Sequence, residues 1–421
     1  MAGRLQDMMS DQNLTMTCRE DRHPNPPLRM LSQPVSDGCG QGASSEDPMP
    51  MEWSRDGGAA APTTPFPTPD RQSYVVRRGD ARTLVSSLEQ QVQCVVTSPP
   101  YFQLKAYGDS DREVGIEGDP STYVQTLCDI FDAIPLHPRG SVWVNLRDKR
   151  TDGRLQAVPE RFAIEMQERG WQFIDRVVWA KAGLARDGST LGNYMVEPAA
   201  GRLNGNGWEC LYRFSRSSRP WSDDLAVRIP RVNGDGSRYL PSERMELATA
   251  LDGRVPPDVW LFGPDRGGAA HVAPMPGIVC EIPIALSCPL WVNRDQTLPE
   301  RLVARAEYDD GRGARLMGKY NHCDLLIDGG PQRNDTGVPY VPRKPESLGW
   351  TPIDDDAEPG IVLDPFGGSG STGVVALRLG RSFIGLELYE RNCRMIEERC
   401  EAALRGLRAG VVEGTAMGEA A

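Results

Sequence analysis

No apolar run in this 421-residue chain approaches the ~20 residues needed to cross a bilayer, which excludes an α-helical membrane span. The first residues are polar and lack the apolar core of an export signal, so the expected compartment is the cytoplasm. Histidine is scarce, with four in all, and the ten cysteines include no CxxC pair. Scattered thiols of this kind suit a reducing compartment better than a disulfide framework. A zinc site assembled from His271, Cys280, Cys288, His322 and Cys323 fits no ligand spacing, so no metal is expected. GxxxxGK[ST] is missing, which argues against a triphosphate P-loop. A surplus of positive charge is missing too. At a net charge of −11 there is no general basic coat, and a polyanion would have to meet a local basic cleft.

What is present is an ordinary globular composition, 39% hydrophobic and 25% charged, in a chain long enough for a sizeable core with accessory modules. Residues 1–70 are rich in Pro, Gly, Ser and Asp and carry no periodic apolar pattern, so they read as a disordered N-terminal segment. Order begins with strand Tyr74-Val75-Val76-Arg77. Gly79-Asp80-Ala81 follows as a turn, with Asp80 placed to cap a short helix. Further strands are read at Val92–Val96, Gly140–Leu146, Phe173–Trp179 and Trp208–Phe214, with helices at Tyr123–Ile134 and Pro159–Gly170. Between 215 and 268, and again between 289 and 358, periodicity fades; both stretches read as insertions rather than sheet. The last regular block is strand Ile361–Leu363, a Gly-rich turn, helix Ser371–Leu379, strand Ser382–Glu387 and a further helix. The tail after Arg408 is expected to fray.

Two turns carry chemistry. The first is Ser98-Pro99-Pro100-Tyr101, at the end of the buried Val92 strand. Neither proline can donate to a sheet ladder, so the chain must leave the sheet in a stiff, extended turn. That turn fixes a hydroxyl, two backbone carbonyls and an aromatic face at a strand's carboxyl end, where open α/β sheets bind ligands. A rigid acceptor set beside an aromatic plate suits a flat ring with an exocyclic amine. On these four residues alone, a plain strand-ending turn with Tyr101 as packing explains as much.

The second is Asp364-Pro365-Phe366-Gly367-Gly368-Ser369-Gly370, set between a strand and a helix, with Glu387 closing the next strand. The glycines admit close backbone approach, and Glu387 can accept from two ribose hydroxyls. Gly368 to Gly373 satisfies GxGxxG, a weak pointer to a nicotinamide cofactor. Asp364 argues the other way: a carboxylate at the strand tip repels a pyrophosphate and attracts an ammonium group. S-adenosylmethionine has an ammonium, a sulfonium and a ribose, and no phosphate. Asp364 as a helix cap is the competing structural reading.

Taken together, the DPFGGSGSTG and FIGLELYE stretches resemble the S-adenosylmethionine motif of amino-methylating DNA methyltransferases. TSPPY resembles their catalytic motif in its cytosine-4-amino form. The catalytic motif comes first, as in the circularly permuted β class. GSVWVNL, GWQFIDRVVWAKAG and WECLYRFSRS resemble the strands that follow it, and the stretch from Asp258 to Pro276 resembles the element before the cofactor strand. The chain departs from the family in the seventy residues between Pro289 and Glu358, and its N-terminal segment matches nothing.

The resemblance implies a Rossmann-like α/β fold with a mostly parallel seven-stranded sheet. It divides the chain into catalytic half 71–214, recognition segment 215–268, cofactor-pocket element 269–288, a second possible recognition insertion 289–358, cofactor-binding half 359–408 and tail 409–421. It implies S-adenosylmethionine as cofactor and direct methyl transfer to a base flipped out of duplex DNA. Cytosine is favoured, and adenine at its 6-amino group is the nearest alternative. Ser98, Pro99, Pro100 and Tyr101 take the catalytic role, with Tyr101 stacking on the base and Phe102 either helping or joining the core. Asp80, Ala273, Pro276, Asp364, Phe366, Gly367, Gly368, Ser369, Gly370 and Glu387 take the cofactor. Lys149, with Arg202, Arg213, Arg216 and Arg219 from a run of arginines with few acids among them, are the phosphate candidates. Family members are often dimers, which raises a homodimer, and a cognate restriction endonuclease is a further candidate partner. A glutamine-side-chain or RNA methyltransferase, a catalytically silent DNA-binding module and a nicotinamide oxidoreductase are the other readings. The motif order and the two intact turns count against them.

Overall fold

Eight strands form one sheet in the computed structural model, and the order in which they sit places both turns side by side. The structure describes residues 66–104, 110–181, 207–228, 255–261, 275–303 and 350–410, with Gly108. It also gives backbone alone for short strands between 183 and 191 and between 306 and 349, and for the last helix to Gly418. The expectations for residues 1–65, and for most of 215–268, lie outside these.

The strands are β1 (Tyr74–Arg78), β2 (Val92–Thr97), β3 (Leu136–Leu146), β4 (Gln172–Ala180), β5 (Trp208–Ser215), β6 (Val259–Leu261), β7 (Ile361–Asp364) and β8 (Ser382–Glu387). Their order across the sheet is β1-β8-β7-β2-β3-β5-β4-β6. Only β5 runs antiparallel to its neighbours β3 and β4; the other pairings are parallel. The sheet is therefore one strand larger than expected. The addition is β6, three residues in the Asp258-Val259-Trp260 stretch that pair with Val178–Ala180.

All six residues of β2 are buried, and they alternate between two cores. Val95 packs with α1 (Ala81–Leu84), α2 (Pro120–Asp132) and α3 (Val158–Glu168) on one face. Cys94 and Val96 pack with α4 (Gly277–Ser287), α5 (Ser371–Arg378) and α6 (Glu390–Gly418) on the other. A strand covered on both sides is mostly apolar rather than alternating, and its two buried polar residues are bonded, Gln93 to Ile361 N and Thr97 to Asp364.

The helices start where local chemistry allows. Asp119 accepts from the Ser121 and Thr122 amides and Pro120 occupies the first turn of α2, whose inner stripe is Tyr123, Val124, Leu127, Cys128, Ile130 and Phe131. α3 begins beside Pro159 and ends before Gly170, whose φ of 86° lets the chain reverse. Pro283 sits inside α4. α6 continues as backbone helix to Gly418, ten residues beyond the expected fraying point.

The described part of the insertion pairs with itself. Trp291–Val292 pair with Glu358–Pro359, and Arg301–Val303 with Ser347–Trp350, so neither joins the main sheet. Its base packs on the segment after β5: Trp350 stacks on Trp221 at 6.2 Å, and Arg301 forms an ion pair with Asp223.

Candidate active site

Because β1, β2, β3, β4, β7 and β8 run in one direction, their carboxyl ends share one edge of the sheet, where the antiparallel β5 contributes its start. A cavity of about 480 Å³ opens along that edge, lined by Ser98 to Tyr101 on one side and Asp364 to Ser369 with Glu387 on the other.

At the catalytic end, Tyr123 Oη donates to Pro100 O at 2.8 Å and fixes the far side of the turn. Ser98 Oγ donates to Tyr101 Oη at 2.9 Å, Asn145 Nδ2 donates to the same oxygen at 2.8 Å, and Tyr101 Oη donates to Glu209 Oε2 at 2.8 Å. A phenol has two acceptor lone pairs and one proton, and these three bonds use them all. Asn145 Nδ2 also donates to Glu209 Oε2, at 2.6 Å. Glu209 is buried, and Lys181 balances it as an ion pair while lying over the Trp179 ring at 5.1 Å. Phe102 belongs to the core, 5.7 Å from the Tyr123 ring.

At the other end, Asp364 is a tie as well as a wall. Oδ1 accepts from Thr97 Oγ1 at 2.6 Å and from the Phe366 amide at 3.0 Å; Oδ2 accepts from Thr372 Oγ1 at 2.8 Å. Burial pushes its pKa up to about 6 against the pull of those three donors, with the Glu387 charge adding to the rise. Asp364 does not cap α5; that position is Gly370, at φ +80°. A Cβ on Gly370 would come within 3.1 Å of the Ile396 Cα, so this glycine serves the approach of α6 rather than the cavity wall. Glu387 Oε2 accepts from Gly368 N and Oε1 from Tyr389 N, both at 2.9 Å, and the Asn392 side chain and the Leu388 amide are further donors to the carboxylate. Burial raises its pKa as well.

Phe366, Gly367, Gly368, Ser369 and Asp80 all line the cavity. Asp80 also caps α1, accepting from Arg82 N at 3.0 Å, and pairs with the Arg82 guanidinium. Pro276 is buried at the start of α4, and its neighbour Met275 is the one on the cavity wall. Ala273 lies outside the described residues. The segment after the catalytic turn closes one side: Glu113 is buried and accepts from Tyr389 Oη.

The phosphate candidates divide. Arg213 is a correction: it is only 4% exposed, bonded to Ser141, Ser222, the Trp221 carbonyl and Asp175, and cannot reach DNA. It lies mid-strand in β5, where inward positions are buried. Arg216 pairs with Asp132 and lies 3.9 Å over the Trp171 ring, so it is exposed but engaged. Arg219 is exposed. Lys149 Nζ donates to Gln103 O at 2.6 Å, close to the catalytic turn. Arg202 lies outside the described residues. Among the described residues no cluster of His, Cys, Asp or Glu could hold a metal, and no helix is long and apolar enough to cross a membrane.

A model of the N6/N4 DNA methylase family, described as DNA methylase, matches residues 92–398, which span both turns. The chain belongs to this family. Two type II methyltransferases resemble it over most of their length. M.SfiI of Streptomyces fimbriatus is 24% identical, covering 76% of this chain and 89% of its own. M.SmaI of Serratia marcescens is 23% identical, covering 76% and 88%. The solved PvuII DNA methyltransferase, titled cytosine-N4-specific, aligns at 16% identity and a TM-score of 0.44 over 81% of this chain and 96% of its own. As a DNA methylase, the chain acts on DNA by methyl transfer, and the cavity is where its two motifs meet.

Three contributors to the site carried no signal that the linear reading used. Asn145, Lys181 and Glu209 sit on β3, after β4 and on β5. Their strands are read correctly from sequence, and their position on the shared edge would have marked them.

Proposed function

We propose that this chain transfers a methyl group from S-adenosylmethionine to the exocyclic 4-amino group of cytosine in duplex DNA, with the target base swung out into the cavity. One observation carries the reading: the Ser98–Tyr101 turn and the Asp364–Glu387 turn face one another across a single cavity.

The wall at the second turn fits S-adenosylmethionine by its donor set. Glu387 is anchored at both oxygens and lines the cavity, where ribose hydroxyls would meet its carboxylate. Asp364 Oδ2 keeps a lone pair for a cationic group. With Asp364, Glu387 and Glu113 on that side, a pyrophosphate would be repelled. When bound, S-adenosylmethionine supplies an electrophilic methyl on sulfur.

An amine conjugated with its ring is a poor nucleophile. The proton of Ser98 is committed to Tyr101, so Ser98 Oγ presents lone pairs and can only accept from the amine. Together with the carbonyls of Ser98 and Pro99, it draws the amine's lone pair out of conjugation and aims it. The same chain receives the surplus proton. As an amine N–H breaks, Ser98 Oγ gains that proton and passes its own to Tyr101, which passes its own to Glu209. Extracting the base from the stack costs a few kcal/mol, which binding must offset. The names of the relatives favour a paired restriction endonuclease, and a homodimer is compatible with the family.

Mixed-sequence duplex DNA incubated with the chain and methyl-labelled S-adenosylmethionine, then digested to nucleosides, should yield labelled 4-methylcytosine. Labelled 6-methyladenine would keep the chemistry and overturn the choice of base.

A further inference from the structure

We propose that Arg147 reads the target base, its guanidinium donating two parallel hydrogen bonds to the ring nitrogen N3 and the carbonyl O2 of cytosine. The inference rests on the functional reading above and deepens it.

Arg147 follows β3 directly and lines the cavity with Ser98, Tyr101, Asn145 and Glu209. It is partly buried, yet among the described residues no hydrogen bond or ion pair satisfies its side chain, and Nε is buried with no partner. A guanidinium withdrawn from water without an acceptor is costly. Burial lowers its pKa for that reason, with Glu209 and Tyr101 offsetting only part of the loss. Glu209 is already balanced by Lys181 and accepts from Tyr101 and Asn145 as well. The missing acceptor must therefore arrive with a ligand.

A second polar atom in the same corner is also unmet. Asn145 Oδ1 is buried and has no partner. Its amide cannot be reversed, because the atom facing the Glu209 carboxylate must be a donor.

The charge pattern says which ligand. Of the cavity's acids, Asp364, Glu387, Glu113 and Asp80 stand with the Gly-rich turn and its neighbours, so a cationic cofactor belongs there; Glu209, at the other end, is already balanced by Lys181. Arg147 stands with the Ser-Pro-Pro-Tyr turn, where the base is presented. Cytosine carries two adjacent acceptors, N3 and O2, beside its amine. Guanine satisfies them in a duplex with two parallel N–H groups, and a guanidinium offers the same fork. Adenine offers one ring acceptor beside its amine with a C–H next to it, which would leave one prong of the fork unmet. A site built around such a donor rejects the ligand that lacks its acceptor. A backbone phosphate is the other acceptor that DNA brings, and the experiment separates the two.

Arg147→Met and Arg147→Lys in the full chain would be compared with the wild type on mixed-sequence genomic DNA and methyl-labelled S-adenosylmethionine. Cofactor affinity would be measured by calorimetry, and DNA affinity as a function of salt. Both variants should lose at least about tenfold in 4-methylcytosine yield, Lys included because it cannot form the fork. Cofactor affinity and the salt slope of DNA binding should stay unchanged. Unchanged yield overturns the inference. So does loss of cofactor binding in both variants, which would mark a structural role. A salt slope lower by about one, with activity restored at saturating DNA, would assign Arg147 to a phosphate instead. A wild-type chain that labels adenine, or that binds cofactor and labels nothing, overturns the functional reading itself and this inference with it.

Discussion

Thr97 Oγ1 donates to Asp364 Oδ1 at 2.6 Å, joining the last residue of β2 to the last residue of β7 across 267 positions of sequence. The strand that delivers the catalytic turn and the strand that delivers the cofactor turn are thus held in register by this bond and by Ile361 N donating to Gln93 Oε1 at 2.8 Å, beside the backbone pairing of Cys94 with Val362 and Val95 with Leu363.

Thr97→Val keeps the shape and removes that bond. The Asp364 carboxylate loses one of three donors in a buried site, at about 1–3 kcal/mol. Urea unfolding should show a loss of that size, and calorimetry should show weaker cofactor binding.

Asp364 also predicts a pH dependence. Its pKa rises from 3.8 to about 6, chiefly through burial. Between those values the folded chain holds a proton that the unfolded chain has released. Its contribution to stability therefore falls as pH rises through that window and is constant above it. The ionised form is the one that receives a cation, so S-adenosylmethionine affinity should be flat above about pH 7. Below about 6 it should weaken, approaching tenfold per unit. Asp364→Asn should bind weakly and flatten the profile, as calorimetry from pH 5 to 8 would reveal.

Ser98→Ala removes the acceptor that orients the amine while leaving the cofactor turn untouched. Single-turnover methylation should slow by about ten- to a hundredfold with S-adenosylmethionine affinity unchanged. Tyr101→Phe should slow it as well, by freeing the Ser98 proton to point at the amine.

Arg213 separates a structural arginine from a DNA-binding one. Arg213→Met leaves Ser141, Ser222 and the Trp221 carbonyl without their partner and should cost about 2–4 kcal/mol in unfolding experiments. The slope of DNA affinity against salt should not change; a fall by about one would restore Arg213 to the phosphate contacts.

Much of this was legible beforehand because covered strands and tight turns leave strong local marks. Val92–Thr97 is rich in apolar and β-branched residues because it is buried on both faces, and Pro99-Pro100 must break it. Glu209 left no mark, because its meaning arises only when the antiparallel β5 brings its first residues to the edge where β3 ends. Arg213 was misjudged because closeness along the chain does not say which arginines a strand turns inward. The eighth strand was missed because three residues, Val259 to Leu261, are too few for a period to show.

The strand order has a consequence for how the chain comes into being. β1 and β2 are neighbours in sequence, but β8 and β7 lie between them in the sheet. On a ribosome, the catalytic turn emerges long before the two strands that complete the sheet's centre. Until residues 361–387 are made, the apolar β2 has an uncovered edge and the cofactor has no wall. The nascent chain therefore has no complete site for methyl transfer for most of its synthesis, and its most exposed period is the wait for those last strands.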